Sequence, residues 1–149
     1  MTKVLMVCLG NICRSPLAQG ILESKVDVGE VEVDSAGTAA YHVGELPDPR
    51  SIATAREHGI DLTSQRARQF VTEDFDRFDY IFVMDRSNEQ NVLRLARTAA
   101  DEEKVHLILN EIYPGENREV PDPYYGGDQG FEHVYQLLND ASDRIVERI

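Results

Sequence analysis

Cys8 and Arg14 bracket a short stretch, Cys8-Leu9-Gly10-Asn11-Ile12-Cys13-Arg14-Ser15, whose residue types suit chemistry on an anion. A cysteine is a nucleophile as its thiolate, a form favoured at a helix N-terminus and beside positive charge. An arginine fork presents two parallel N–H donors that match two oxygens of a phosphate. A thiolate attacking phosphorus also needs a proton donor for the departing oxygen. Asp122, in Val120-Pro121-Asp122-Pro123-Tyr124-Tyr125, is the candidate acid. Its flanking prolines hold it extended, and Tyr124 and Tyr125 beside it are suited to walling a pocket for an aromatic ring. The alternative for Asp122 is a turn in which it only bonds backbone amides. Taken together, nucleophile, phosphate clamp and acid outline a phosphoryl-transfer site.

These residues must be carried by suitable elements. The apolar run Val4-Leu5-Met6-Val7 reads as a buried parallel strand, and Pro16 to Leu22 as a helix with its proline in the first turn. A strand, a tight loop and a helix N-terminus in succession leave unpaired amides that favour an anion. Further strands are expected at Val31–Gly37, as an edge strand, at Asp79–Asp85 and at Lys104–Leu109. Helices are expected at Ser51–His58, stopped by Gly59, from Ser87 to about Ala99, and from about Phe131 to Ile149. Thr72 is a candidate cap for a short turn, and Asn110 to Gly130 a long loop. The alternation predicts one α/β domain over residues 1–149: an open four-stranded parallel sheet with helices on both faces and a phosphate-binding loop after the first strand. Such sheets bind ligands at the carboxyl ends of their strands, where the loops after Val7, Ala36, Met84 and Leu109 fall.

Composition narrows the partners. The formal net charge of −12 argues against nucleic acid and anionic membrane, so an anionic substrate must be captured by local design. No apolar run is long enough to span a bilayer and no signal-type core opens the chain, which points to a cytoplasmic protein. Cys8 and Cys13, close together in one loop, make a poor disulfide scaffold. His42, His58, His106 and His133 are scattered, so no metal and no cofactor is expected. With no apolar stripe left over once the core is assigned, a monomer is expected.

Several stretches together resemble the low-molecular-weight protein tyrosine phosphatases. They are Cys8 to Pro16, Asp34-Ser35-Ala36-Gly37, Pro47-Asp48-Pro49-Arg50, His58-Gly59-Ile60, Phe78-Asp79-Tyr80 with Met84-Asp85, and Asp122-Pro123-Tyr124-Tyr125. The resemblance implies hydrolysis of phosphotyrosine in proteins through a phosphocysteine, with Cys8 as nucleophile and Asp122 as acid, then base. It implies that Arg14 and the backbone of Leu9, Gly10, Asn11, Ile12 and Cys13 hold the phosphate, and that Ser15 donates its hydroxyl to Cys8. Ser15 as a helix cap is the plainer alternative. Asn11 is expected at positive φ, bonded to Ser35, with Gln65 standing where a histidine frequently supports that asparagine. Gln19 stands where a glutamate is frequent, and Tyr41 where the family has a substrate-facing aromatic. Cys13 is either a small buried side chain or, as in the family, a disulfide partner that protects Cys8 from irreversible oxidation.

Rival functions remain at this stage. A thioredoxin-coupled arsenate reductase needs further cysteines after Cys13, and the chain has none. A phosphoarginine phosphatase selects through its pocket wall, where Asp122 and the tyrosines lean toward phosphotyrosine. A catalytically silent phosphotyrosine-binding module has no need of both Cys8 and Asp122.

Overall fold

A computed structural model describes residues 1–124 and 128–149. Four parallel strands, β1 (Thr2–Cys8), β2 (Val31–Gly37), β3 (Tyr80–Val83) and β4 (Val105–Leu107), lie in the order β2-β1-β3-β4. β1 is central: it pairs with β2 from Thr2↔Val31 to Cys8↔Gly37 and with β3 from Val4↔Tyr80 to Val7↔Val83. Its apolar run is continuous because both of its faces are covered. Val4, Met6 and Cys8 face a core with Leu17 and Ile21 of α1 (Arg14–Lys25), Ala55 of α2 (Pro49–Glu57), and Val134 and Leu138 of α6 (Asp128–Arg148). Leu5 and Val7 face a second core with Phe75 of α3 (Asp74–Arg77) and Val92 of α4 (Arg86–Leu93). Val4, Leu5, Met6 and Val7 are wholly buried, each burial stabilising the fold by roughly 1.5–3 kcal/mol.

The expected architecture is the one found, with edges that differ. The helix expected from Ser87 to about Ala99 ends early: α4 stops at Leu93, and a separate helix, α5 (Ala99–Glu103), begins only at Ala99, where the Thr98 side chain accepts from the Asp101 amide. The fourth strand stops at Leu107, and Ile108–Glu111 tightens into a 3-10 helix that turns Ile108 and Leu109 into the α6 core. Thr72 is not a cap. Glu73 stands at the N-cap of α3 without a side-chain bond, and it is Asp74 that accepts the Val71 amide. α2 begins two residues before Ser51, with Pro49 in its first turn and the Asp48 side chain accepting the Arg50 amide. Gly59, at φ 77°, takes the left-handed conformation that ends it.

Candidate active site

The loop joining β1 to α1 is tied down by its carbonyls. Cys8 O and Leu9 O accept the amides of Thr38 and Ala39 at 2.9 Å, Ile12 O accepts that of Asp48 at 2.7 Å, and Cys13 O accepts the Ser51 hydroxyl at 3.1 Å. Among the described residues, none of the amides from Leu9 to Arg14 has a protein acceptor. With its carbonyls engaged by neighbouring segments, the loop keeps these amides available to an anion. Gly37, at the end of β2, makes this approach possible: a Cβ there would lie 2.7 Å from Leu9 O and 3.1 Å from the Asn11 amide nitrogen.

Inside the loop, a chain of hydrogen bonds ends on the Cys8 sulfur. Asn11 sits at φ 56°, a conformation that asparagine tolerates better than most residues, and is buried. Its Nδ2 donates to Ser15 Oγ at 2.8 Å and to Ser35 Oγ at 2.9 Å, while its Oδ1 accepts the Arg68 amide at 3.0 Å. Ser35 Oγ in turn donates to Gln19 Oε1 at 2.7 Å. Ser15 Oγ, already accepting from Asn11, lies 3.0 Å from Cys8 Sγ and 3.4 Å from Ala36 O. Its hydroxyl proton is therefore left for the sulfur or the Ala36 carbonyl. Ser15 is not a helix cap, since Cys13 occupies the N-cap position without a side-chain bond.

Arg14 is buried beside this sulfur's cavity. Its Nη1 donates to Asp85 Oδ2 at 2.8 Å and to Val120 O at 3.0 Å, and its Nη2 lies 3.6 Å from Asp122 Oδ2. Burial disfavours its charge, but Cys8, Asp85 and Asp122 outweigh that and hold its pKa above the ordinary arginine value. Asp85 follows β3 and also caps α4, accepting the Asn88 amide at 2.8 Å, so the guanidinium is fixed to the sheet edge. The loop carrying Asp122 is moored to the same edge, with the Val120 amide donating to Met84 O at 2.8 Å. Asp122 Oδ1 accepts the Tyr124 amide at 3.0 Å, which is the turn geometry offered above as its alternative role. Its other oxygen is the one near Arg14, so both readings describe one carboxylate.

Cys8, Leu9, Gly10, Ile12, Cys13, Arg14, Tyr41, His42, Asp122 and Tyr124 line a cavity of about 200 Å³. Leu9, Tyr41 and Tyr124 are exposed at its mouth. Tyr125 lies outside the described residues. Cys13 is buried, and desolvation, then Asp48 and Cys8, push its thiol pKa up, so it is a neutral thiol. Gln65 does not meet Asn11. It donates to Pro16 O at 3.0 Å, and the Arg68 amide takes the position against Asn11 instead. Two neighbours had no assigned role from the sequence. Asp85 was quoted only within the resemblance, although an acid directly after a strand's carboxyl end is a signal. His42 stands in the sequence only as one of four scattered histidines. It packs against Gly10, where an added Cβ would lie 3.2 Å from its ring, and its Nδ1 is 2.6 Å from Glu45 Oε2.

Comparison with known proteins agrees with this geometry. The family profile described as low molecular weight phosphotyrosine protein phosphatase matches residues 3–149. The Schizosaccharomyces pombe low molecular weight phosphotyrosine protein phosphatase is 43% identical, over 99% of this chain and 96% of that one. Among solved structures, the Entamoeba histolytica protein tyrosine phosphatase with Hepes in its active site superposes with a TM-score of 0.91 at 35% identity, covering 99% of this chain and 96% of the other. The Vibrio vulnificus Wzb in complex with benzylphosphonate gives 0.89 at 28% identity, covering 99% of each. The chain belongs to the low molecular weight phosphotyrosine protein phosphatase family, whose members are hydrolases of phosphoric monoesters.

Proposed function

We propose that this enzyme dephosphorylates tyrosine in proteins through a phosphocysteine on Cys8. The supporting observation is one cavity lined by Cys8, Arg14 and Asp122, with Tyr41 and Tyr124 exposed on it, beside a loop whose six amides have no acceptor among the described residues. Cys8 Sγ attacks phosphorus, the P–O bond to the aryl group breaks, and the acid form of Asp122 gives its proton to the leaving phenolate. Water then attacks the phosphocysteine, Asp122 takes a proton from it, and the thiolate leaves with release of inorganic phosphate. The amides of Leu9 to Arg14 and the Arg14 fork stabilise the equatorial oxygens in both steps. The Ser15 hydroxyl, 3.0 Å away, stabilises the sulfur anion before attack and on its departure.

A phosphotyrosine side chain is long enough to carry its phosphate past Tyr41 and Tyr124 to the cavity base, whereas phosphoserine is short. The benzylphosphonate bound by the Vibrio relative is an aryl-bearing phosphate mimic and supports the same substrate class. The test is release of phosphate from a phosphotyrosine peptide and a phosphoserine peptide, under reductant and chelator, by wild type and Cys8→Ser. Fast release from phosphotyrosine alone, lost in Cys8→Ser, is expected. Equal release from both, or retained activity in Cys8→Ser, would overturn the proposal.

A further inference from the structure

We infer that Arg68 and Asp74, outside the cavity, are positioning residues that set the orientation of the Asn11 amide and through it the phosphate loop. This rests on the phosphatase reading above. Asp74 is wholly buried, and its carboxylate accepts both ends of the Arg68 guanidinium at 3.1 Å and the Val71 amide at 2.9 Å. The same guanidinium donates to Asp34 Oδ2 on β2 at 3.1 and 3.0 Å. Residue 68 is therefore pinned between a strand of the sheet and a buried acid on α3. Its backbone is pinned as well, since Arg68 O accepts the Gly37 amide at 2.8 Å and Phe70 donates back to Gly37 O at 2.7 Å. What this anchoring presents is one N–H, aimed at Asn11 Oδ1.

That N–H decides how the Asn11 side chain is turned. With a donor at Oδ1, the amide must direct its Nδ2 hydrogens to Ser15 and Ser35, and Ser15 must then direct its own proton toward Cys8 or Ala36. Without it, the amide is free to flip and offer its oxygen to Ser15, which would then donate to Asn11 and abandon the sulfur. The loop, held at φ 56° on Asn11, would lose its support from behind. A buried carboxylate is costly unless satisfied, and the hydrogen bonds that satisfy this one come from Arg68 and the Val71 amide, with Arg77 of α3 a longer ion-pair neighbour at 3.9 Å.

The test compares wild type, Asp74→Asn, Arg68→Lys and Asp122→Asn for affinity for inorganic phosphate, kcat and KM on an aryl phosphate, and exchange of the Asn11 side-chain NH2 protons by NMR. Asp74→Asn is expected to weaken phosphate binding and lower kcat about tenfold each and to speed exchange of the Asn11 protons. Arg68→Lys, which keeps charge but not the fork, is expected to shift all three in the same direction by less. Asp122→Asn should lower kcat and leave the Asn11 protons unchanged. If either variant loses thermal stability while phosphate affinity, kcat and Asn11 exchange match wild type, the pair is structural only and the inference fails. Should Asp74→Asn not fold, the Arg68→Lys result decides alone. A wild type that binds phosphate but does not turn over aryl phosphates refutes the phosphatase reading, while the affinity and exchange readouts still judge the pair.

Discussion

At the scale of single residues, Asp122 illustrates how one side chain satisfies two demands. One oxygen holds the turn at Tyr124 and the other lies near Arg14, so the carboxylate proposed as the acid is fixed on the cavity wall. Proton donation predicts that Asp122→Asn slows hydrolysis of aryl phosphates with poor leaving groups by about 10²–10⁴-fold, and those with good leaving groups far less. A leaving-group series measures this, and equal losses across it would contradict the assignment. Arg14→Lys keeps the charge but loses the fork and leaves Asp85 half-paired, so kcat should fall about 10²–10³-fold or more. Steady-state kinetics on the purified variant check that. Cys13 lines the same cavity as Cys8, so its thiol is placed to condense with a sulfenic acid on Cys8, releasing water, although its raised pKa slows that step. Peroxide-treated wild type should regain activity with a thiol reductant, and Cys13→Ala should not. That Cys8, Arg14 and Asp122 belong to one cavity was legible in the sequence, because a cysteine and an arginine closing one loop, with an acid between two prolines, suit a common anion site. Asp85 and His42 were harder to read, because a carboxylate or imidazole reveals its role only once its neighbours across the sheet edge are known.

At the scale of elements, the strand–loop–helix unit works because other segments hold the loop by its carbonyls. Residues 38–39, after β2, and Asp48 and Ser51, at the start of α2, do this from two segments, and Gly37 lets the loop lie directly on β2. Gly37→Ala should therefore displace the loop and lower kcat about 10²-fold, with a smaller effect on the unfolding midpoint. An unchanged kcat would show that the contact is slack. Asp48 caps α2 and grips Arg50, whose guanidinium lies 4.7 Å from the Phe131 ring and 5.4 Å from that of Tyr124. Burial works against its charge, yet the bonds from Arg50 hold its carboxyl below the usual value. Its contribution is thus complete above the ordinary carboxylate pKa and is lost as pH falls through the depressed one. Asp48→Ala should cost about 1–2 kcal/mol at neutral pH, and urea titrations should show that gap narrowing in acid. Strand and helix types followed from apolar periodicity, whereas the break between α4 and α5 and the early end of β4 depended on local capping and on burial under α6. Gln65 is the instructive miss at this scale: the resemblance put it where Asn11 is supported, but its amide bonds Pro16 O of α1, and the Arg68 backbone N–H meets Asn11 instead.

At the scale of the whole molecule, a net charge of −12 surrounds a site built to receive an anion. The field repels acidic substrates over distances that salt shortens, while the loop amides and Arg14 act only at contact. KM for a phosphotyrosine peptide with acidic flanks should therefore fall as salt rises from about 20 to about 150 mM, and KM for one with basic flanks should rise. Identical trends would show that the global charge has no part in substrate capture. The sheet gathers residues far apart in sequence, Cys8, Arg14, Asp85 and Asp122, at the carboxyl ends of its strands, the edge where such folds bind ligands. The claim that unites these scales is that phosphate passes through the Cys8 sulfur. Rapid acid quench of Asp122→Asn during turnover of an aryl phosphate, followed by peptide mass spectrometry, tests it most directly. The account predicts one phosphoryl group on the peptide containing Cys8, absent in Cys8→Ser; turnover with that peptide unmodified at every quench time would contradict it.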